Sequence, residues 1–530
     1  MNVDRLCVIA WAIFLYVRAK MDGMKAEQLT LGRMEILTDA EYINEDNLIN
    51  ELDRALVAHR VNRSNIQYLW NYYRGRQDIQ YKTKIVRPEI NHKVTVNKAS
   101  QIVKFKEDFV IGEPITYVTR SGDEAVMKEV NKLNDAFFEL GKFPHDKKLI
   151  LWGLVCGLAH RYISTEKQGD IPFKIYTLDP RDSFVVKSSD IKREPRFAVS
   201  YYSKVGGIEG APVVGVNIYQ SEVYEVWTKD FMYVVNDGKI TSKTPNTLGE
   251  IPIIEYPANE ERQGAFEIVL PLLNALNDVY SGRLDGLDNF VQAFLKFINC
   301  DIDEEGLQLL NQYGAIKIKS DKELPADVEF VKSELNQQQT QTLASDIEMQ
   351  IITICGLPNR NGGLSTSDTG RATELRDGWN DALCRAKATE DAYKEADQRA
   401  MHLILKICSA AGFCNLDEAD IKAEFSMHNY DNIQSKSQVL IAMLQNNKIH
   451  PKLAFEASGL FIDPESAYTQ SMEYYKEQQK LLEEKEKRMA ITANADKNSG
   501  ERTPSNTDEK PMSNPILKAS SKENESSEKN

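Results

Sequence analysis

Carboxylate pairs at Asp285/Asp288 and Asp301/Asp303 are of the type that holds divalent metal for DNA cleavage. The Gly-rich stretch around Asn361-Gly362-Gly363-Leu364 is of the type whose backbone cradles phosphate. Neither has the surroundings such chemistry needs. No GxxxxGK[ST] string occurs, and the Gly-rich stretch lacks a lysine to reach a phosphate and follows no parallel strand, so it reads as a polar loop between helices. With 79 acidic residues, carboxylate pairs recur on solvated helix faces, and nothing singles these out. The seven histidines (His59, His92, His145, His160, His402, His428, His450) form no HxxxH or HExxH pair. The seven cysteines (Cys7, Cys156, Cys300, Cys355, Cys384, Cys408, Cys414) contain no CxxC and mostly sit in apolar stretches such as Leu151 to Ala159 and Met401 to Cys414, as reduced, buried thiols of an intracellular protein do. There is no GxSxG elbow and no Cys–His arrangement. The expectation is a protein without metal, cofactor or catalytic centre.

Charge and length narrow the classes further. The chain has 530 residues and a net charge of −14, enough for about three or four domains. A negative total argues against tight wrapping of nucleic acid, which draws its affinity from Lys and Arg on phosphates, but it suits a protein that DNA slides past. The apolar run Leu6 to Val17 is shorter than the ~20 residues that span a bilayer. Asp4 and the lack of a cleavage site argue against a signal peptide. Two readings stand for residues 1–33: an extended start or disordered arm, with the folded region beginning near Met34, or an amphipathic anchor. The first is preferred, and no membrane partner is expected.

The elements that would position any site read as α+β. Leu48, Leu52, Ala55, Leu56, His59 and then Ile66, Leu69, Trp70, Tyr73 recur at helical spacing, and Gly75 stops the second of these helices. A short strand at Ile115 to Thr119, a helix at Glu124 to Leu140 and a buried helix at Phe143 to Leu158 follow. From His160 to Tyr256 the chain is strand-rich (Phe173 to Leu178, Ser183 to Val186, Phe197 to Tyr202, Val213 to Trp227, Phe231 to Val235), and its short connections predict antiparallel pairing.

Beyond it, Phe266, Leu270, Leu273, Leu276, Tyr280, Leu284, Leu287, Val291, Phe294 and Ile298 predict one helix over 264–300, on the order of 50 Å long. Asp278, Asp285 and Asp288 lie on its polar side. Its apolar seam requires a partner along its length, supplied by a helix over 336–355 through Leu343, Ile347, Ile351 and Ile354. Ala315 to Lys319 and Val328 to Lys332 alternate as strands of a small tip between the two helices. A Gly-rich loop, 356–370, leads to a helix over 371–412, roughly 60 Å long and stopped by Gly412. Asp417 to Tyr474 forms a small helical unit, and residues 483–530 are too polar to fold.

Several strings, in order, resemble the portal proteins of tailed bacteriophages, in the branch of long non-contractile-tailed phages of Gram-positive bacteria. They are Asn71-Tyr72-Tyr73-Arg74-Gly75, then Pro88, Asn91 and Asn97, Gly112-Glu113-Pro114-Ile115, Trp152-Gly153 with Gly157-Leu158-Ala159, Leu178-Asp179-Pro180-Arg181, Gly249 to Tyr256 and Asn259-Glu260-Glu261-Arg262. The resemblance runs from about Glu35 to Tyr475. Ser367-Asp368-Thr369-Gly370 with Ala372 and Leu375-Arg376 is similar to the stretch after the family's tunnel loop, with its Ser–Gly step lengthened by two residues.

The resemblance implies a portal-type multidomain subunit: a β-rich wing (34–263), a first stem helix (264–300), a small α/β clip (301–335), a second stem helix (336–355), a tunnel loop (356–370), a long wing-spanning helix (371–412), a helical crown (413–482) that includes Phe461 to Pro464, and a disordered tail (483–530). It implies a homo-dodecameric ring at one capsid vertex, assembled in the host bacterial cytoplasm and carried in the virion. The terminase large subunit drives double-stranded DNA through it, head-completion (neck) proteins follow, DNA later leaves by it, and major capsid and scaffolding proteins surround it. DNA would meet the tunnel loop at Asn359, Arg360, Asn361, Gly362, Gly363, Ser365, Thr366, Ser367, Asp368 and Thr369, without sequence specificity. Asp278, Asp285 and Asp288 are channel-facing candidates, against an ordinary solvated face. Lys317, Lys319, Lys322 and Lys332 are candidates for docking a partner on the clip, against a plain exposed hairpin. The alternatives are a metal-dependent nuclease acting through Asp285 and Asp288, or a structural adaptor without a channel.

Overall fold

The computed structural model describes residues 29–497 except 86, 121–122, 207–217, 292–293, 299–326, 332–336, 360–377, 426–432, 447 and 462. Two compact units divide at Asn432/Ile433. In the first, β1 (Ile36–Thr38) precedes α1 (Leu48–Tyr73), and then come α2 (Lys98–Val110), β2 (Thr116–Thr119), α3 (Glu124–Glu139) and α4 (Lys142–Cys156). Strands β3 (Leu158–Ser164), β4 (Lys174–Leu178), β5 (Ser183–Ser188), β6 (Pro195–Gly206), β7 (Ile218–Trp227), β8 (Phe231–Asn236), β9 (Lys239–Pro245) and β10 (Ile253–Pro257) follow. They form a six-stranded sheet, β1-β5-β6-β7-β8-β9, and a three-stranded sheet, β10-β3-β4. All neighbours are antiparallel except β1 with β5, so the predicted pairing mode holds for all but one pair.

The two helical patterns around His59 belong to one 26-residue helix, α1. The apolar spacing breaks at Asn62 because that side chain bonds the Met34 backbone on both sides, accepting from its N–H at 2.9 Å and donating to its carbonyl at 2.8 Å. The N-terminal half of α1 buries Leu48, Leu52 and Leu56 against Ile36, Phe184, Phe197 and Val199 of the large sheet. Its other half packs Ile66, Leu69 and Tyr72 into the main core with α2 and α4. One helix thus joins two cores.

Residues before Met34 are also part of the fold. Arg33 is buried in an ion pair with Glu267 at 2.9 Å, and the Gly32 N–H donates to the same carboxylate. The expected boundary at 33/34 therefore lies too late in the chain.

Helix α5 (Leu270–Val291) is followed by β11 (Phe294–Ile298), β12 (Asp327–Val331) and α6 (Gln337–Cys355). The expected helix over 264–300 is shorter. Phe294 and Ile298 stand in a strand whose antiparallel partner is Asp327–Val331, because two β-branched or aromatic runs facing each other satisfy the backbone where the helix stops. The expected strand at Ala315 to Lys319 lies outside the described residues.

Helix α7 (Trp379–Ala411) is roughly 50 Å long and ends, as expected, at Gly412. Then β13 (Ile421–Glu424) pairs with β2, residue Ile421 opposite Thr119. The crown assigned to 413–482 therefore starts too early, since 413–424 is built into the first unit. The second unit contains α8 (Ile433–Leu444), α9 (Pro451–Ser458) and α10 (Pro464–Lys497), with a small core of Leu440, Ala454 and Phe455. Helix α10 carries on past residue 483, where a disordered tail was expected. Its Glu, Lys, Gln and Ala content favours helix without tertiary burial. Cys384 is exposed, against the expectation of buried thiols, while Cys156, Cys355, Cys408 and Cys414 are buried and free.

Candidate functional site

Three features organise the region around α5, α6 and α7. The first is the packed pair of helices α5 and α6. Leu270, Leu273 and Leu276 of α5 are buried, as are Ala344 and Ile351 of α6. The helices are bridged by Tyr280 Oη donating to Glu348 at 3.2 Å and by Arg283 on Gln341 at 2.6 Å. The seam is not covered along its whole length. Leu284 and Leu287 are 39% and 49% exposed, and Leu343, expected in register, is 50% exposed while its neighbour Ala344 faces the core.

The second feature is a strap missed by sequence reasoning. Residues 82–85 and 87–96 lie along the acidic face of α5. Lys82 pairs with Asp278 at 2.5 Å, and Lys84 pairs with Asp285. The His92 N–H donates to Asp285 at 2.8 Å, while the His92 ring lies 3.0 Å from Asp285 and 3.4 Å from Asp288. The returning limb is held by Ser281 Oγ, which accepts from Val94 N–H at 3.0 Å, and by Asn277 Oδ1, which accepts from Val96 N–H at 2.8 Å.

Asp285 is therefore not on a solvated face. Its side chain is 6% exposed, and its carboxyl is held below the usual range: burial opposes this, but the Lys84 and His92 donors outweigh it. The nuclease alternative loses this carboxylate, which is already occupied. Asp278 and Asp288 remain half-exposed beside their partners. Asp285→Ala should cost about 3 kcal/mol of stability by stranding Lys84 and the His92 N–H, whereas Asp278→Ala should cost little. Urea unfolding of both variants checks the contrast.

The third feature is the frame behind α7. Arg161 of β3, wholly buried, donates to Asp397 of α7 at 2.9 Å, to Tyr393 Oη at 3.1 Å and to Asp146 of α4. Asp397 also accepts from Tyr117 Oη at 2.5 Å and Tyr256 Oη at 3.0 Å. Asp146 accepts from Lys142 at 2.7 Å and from Tyr393 Oη at 2.7 Å. Two cations and two anions, closed by three tyrosines, fix the long helix to four separate elements. The signal available in the sequence was a lone Asp on an otherwise apolar helical face, which does not name its partner.

At the head of the loop, α6 ends at Gly356, where Leu357 N–H donates back to Ile352 carbonyl at 3.0 Å. The Arg385 side chain lies over Gly356, and Lys106 stands near Cys355, so two cations sit at the negative end of the helix dipole. Asn359 donates to Met349 Sδ at 3.5 Å. Arg360, Asn361, Gly362, Gly363, Ser365, Thr366, Ser367, Asp368 and Thr369 lie outside the described residues, as do the clip residues Lys317, Lys319, Lys322 and Lys332. Among the described residues no three His, Cys, Asp or Glu side chains form a metal-binding group, and no helix is long and apolar enough to cross a membrane.

The described residues are a mixed α and β fold in which the paired helices α5 and α6 flank the two-stranded β11–β12 sheet and precede the 33-residue helix α7. The family of phage portal proteins described as SPP1 Gp6-like matches residues 53–490, and the chain belongs to that family. No curated protein sequence matches the chain. The protein is thus a phage portal protein with a role in the capsid.

Proposed function

We propose that the chain is the subunit of a homo-dodecameric ring at one capsid vertex. The terminase large subunit docks on it and drives double-stranded DNA through its channel. Head-completion proteins replace the motor, and the genome later leaves by the same path. Major capsid and scaffolding proteins contact its outer surface. The observation that carries this reading is the family match over residues 53–490, and the partly exposed apolar row Leu284, Leu287 and Leu343 on the stem supports it as a surface for neighbouring copies.

A conduit confines a polyanion without holding it, because each tight phosphate contact adds to the free energy of the next step. Asp278 and Asp288 keep an exposed carboxylate for a channel wall. Residues 358–369 form the tunnel loop, touching DNA loosely, with Lys106 and Arg385 at its base. The lysines Lys317, Lys319, Lys322 and Lys332 of the clip dock the acidic surface of motor or neck. Deletion of residues 358–367 is expected to leave assembly intact and to impair packaging, measured as nuclease-protected DNA in heads. Normal packaging by the deletion variant would contradict the loop assignment.

A further inference from the structure

Two cavities flank the middle of α7. The larger, about 790 Å³, lies between α7 and strands β5 and β10, and the smaller, about 370 Å³, lies between α7, β2 and β13. Gln398 and Glu418 line both, so the Glu418 side chain stands in the wall they share. Glu418 opens a short 3-10 turn, Glu418–Asp420, whose last carbonyl accepts from Arg120 N–H at 2.8 Å and which leads straight into β13. His402 fastens this turn to α7. Its Nδ1 meets the Glu418 carboxylate, and its Nε2 lies 3.1 Å from Glu250 in the loop between β9 and β10. Lys406, one turn further along α7, donates to the same Glu250 oxygen at 2.7 Å.

The two carboxylates depend on the imidazole to different degrees. Glu250 keeps Lys406 whatever the charge on His402, whereas Glu418 has no other ion pair among the described residues. A doubly protonated imidazole donates from both nitrogens, but a neutral one has a single N–H, so one lone pair then faces a carboxylate. The bond to Glu418 raises the His402 imidazole above its ordinary value; burial opposes this and Glu250 adds to it. The remaining charges nearby are Glu395 and Arg399 on α7, Lys187, Glu194, Lys229 and Glu255 across the larger cavity, and Arg120, Lys394, Asp397 and Lys422 around the smaller one. Histidine is the one residue type among them whose ordinary titration falls between pH 5 and 8.

We propose that His402 is a proton-controlled latch: as the imidazolium it fastens the Glu418 turn to α7, and on losing its proton it releases that turn and opens the wall between the two cavities. The release falls at Glu418 rather than at Glu250, because Lys406 holds the latter. An imidazole whose value is raised in the folded chain contributes fully below about pH 6.5, and that contribution is lost as pH rises through the folded value. The latch is therefore closed in mild acid and opens toward alkaline pH. Pairing of β13 with β2 starts at Ile421 opposite Thr119, immediately after the turn, so the loosening reaches that end of the strand first. The inference concerns a single subunit and does not depend on its assembly.

The test uses the full chain and two exchange measurements read by mass spectrometry. Deuterium exchange at the imidazole carbon gives the titration of His402, which is the only histidine of the tryptic peptide Ala400 to Lys406. Amide exchange over residues 415–424, corrected for the intrinsic rate at each pH, reports the turn and β13. The expected titration lies above the ordinary histidine value, and Glu418→Gln moves it down. Protection of 415–424 should hold steady in mild acid and fall by about two- to five-fold as pH rises through the His402 titration, the range an exposed ion pair supports. His402→Arg, which keeps a cation at every pH, should remove the fall, and Glu418→Gln should show low protection throughout. Protection that does not change across the His402 titration, or a fall that persists in Glu418→Gln, would overturn the proposal.

Discussion

Asp397→Ala is expected to lower the free energy of unfolding by about 3–5 kcal/mol, the range for breaking a buried ion pair by removing one partner. The substitution leaves Arg161, wholly buried, with Asp146 as its one remaining carboxylate, and strands the hydroxyls of Tyr117 and Tyr256. Tyr117→Phe, which removes one hydroxyl, should cost only about 1 kcal/mol. The same network sets an acid limit. Burial works to raise the Asp146 carboxyl, but Lys142 and Arg161 outweigh it and hold it below the ordinary range. A depressed carboxylate adds stability above the unfolded value of about 3.9, and that contribution is lost as pH falls through the still lower folded value. The wild-type urea midpoint should therefore hold steady from pH 7 down to about pH 4 and fall below that as Asp146 takes up its proton. A loss below about 1 kcal/mol at pH 7 would show that the network does not hold the long helix.

Gly157→Ala should be at least as damaging, at more than about 4 kcal/mol, a size reserved for a few mechanisms that include backbone strain and overpacking. Gly157 has φ +85°, and a Cβ placed there meets the Arg262 carbonyl oxygen at 2.0 Å and its carbon at 2.5 Å. Those are backbone atoms that no rotamer change can move. The Gly157 carbonyl also accepts from Ala258 N–H at 2.9 Å, so the junction between α4 and β3 is pressed directly onto the turn that leads into α5. Gly141 is the internal control: its φ is +63°, and a Cβ there meets nothing within 4 Å. Gly141→Ala should cost only the left-handed backbone penalty, about 1–2 kcal/mol. Equal urea midpoints for the two variants would refute the role given to the contact between Gly157 and the Arg262 backbone.

Regular periodicity made much of this fold legible. The apolar row on α6 and the β-branched runs of β5, β6 and β8 placed these elements within a few residues, because each reports its own buried face, and Gly412 marked the end of α7. Boundaries failed where a non-local partner decided them. Phe294 and Ile298 fit the helical row, but their strand pairing lies some thirty residues further on, at Asp327–Val331. Ile421–Glu424 is claimed by β2, about three hundred residues earlier. Asp278, Asp285 and Asp288 are bound by Lys82, Lys84 and His92, which carry no spacing that announces it. A polar contact between two single residues leaves no period in the sequence. Arg33 was set aside with the N-terminal residues for the same reason, since only its bond to Glu267 shows that it belongs to the fold.

Electron microscopy of the purified full-length protein, with its mass from light scattering, tests the central claim most directly. The account predicts closed rings with a central hole and a mass near twelve subunits, and Leu284→Glu with Leu287→Glu should shift the protein toward monomer. Open or compact particles without a hole, formed by wild-type protein under the conditions in which it assembles, would contradict it.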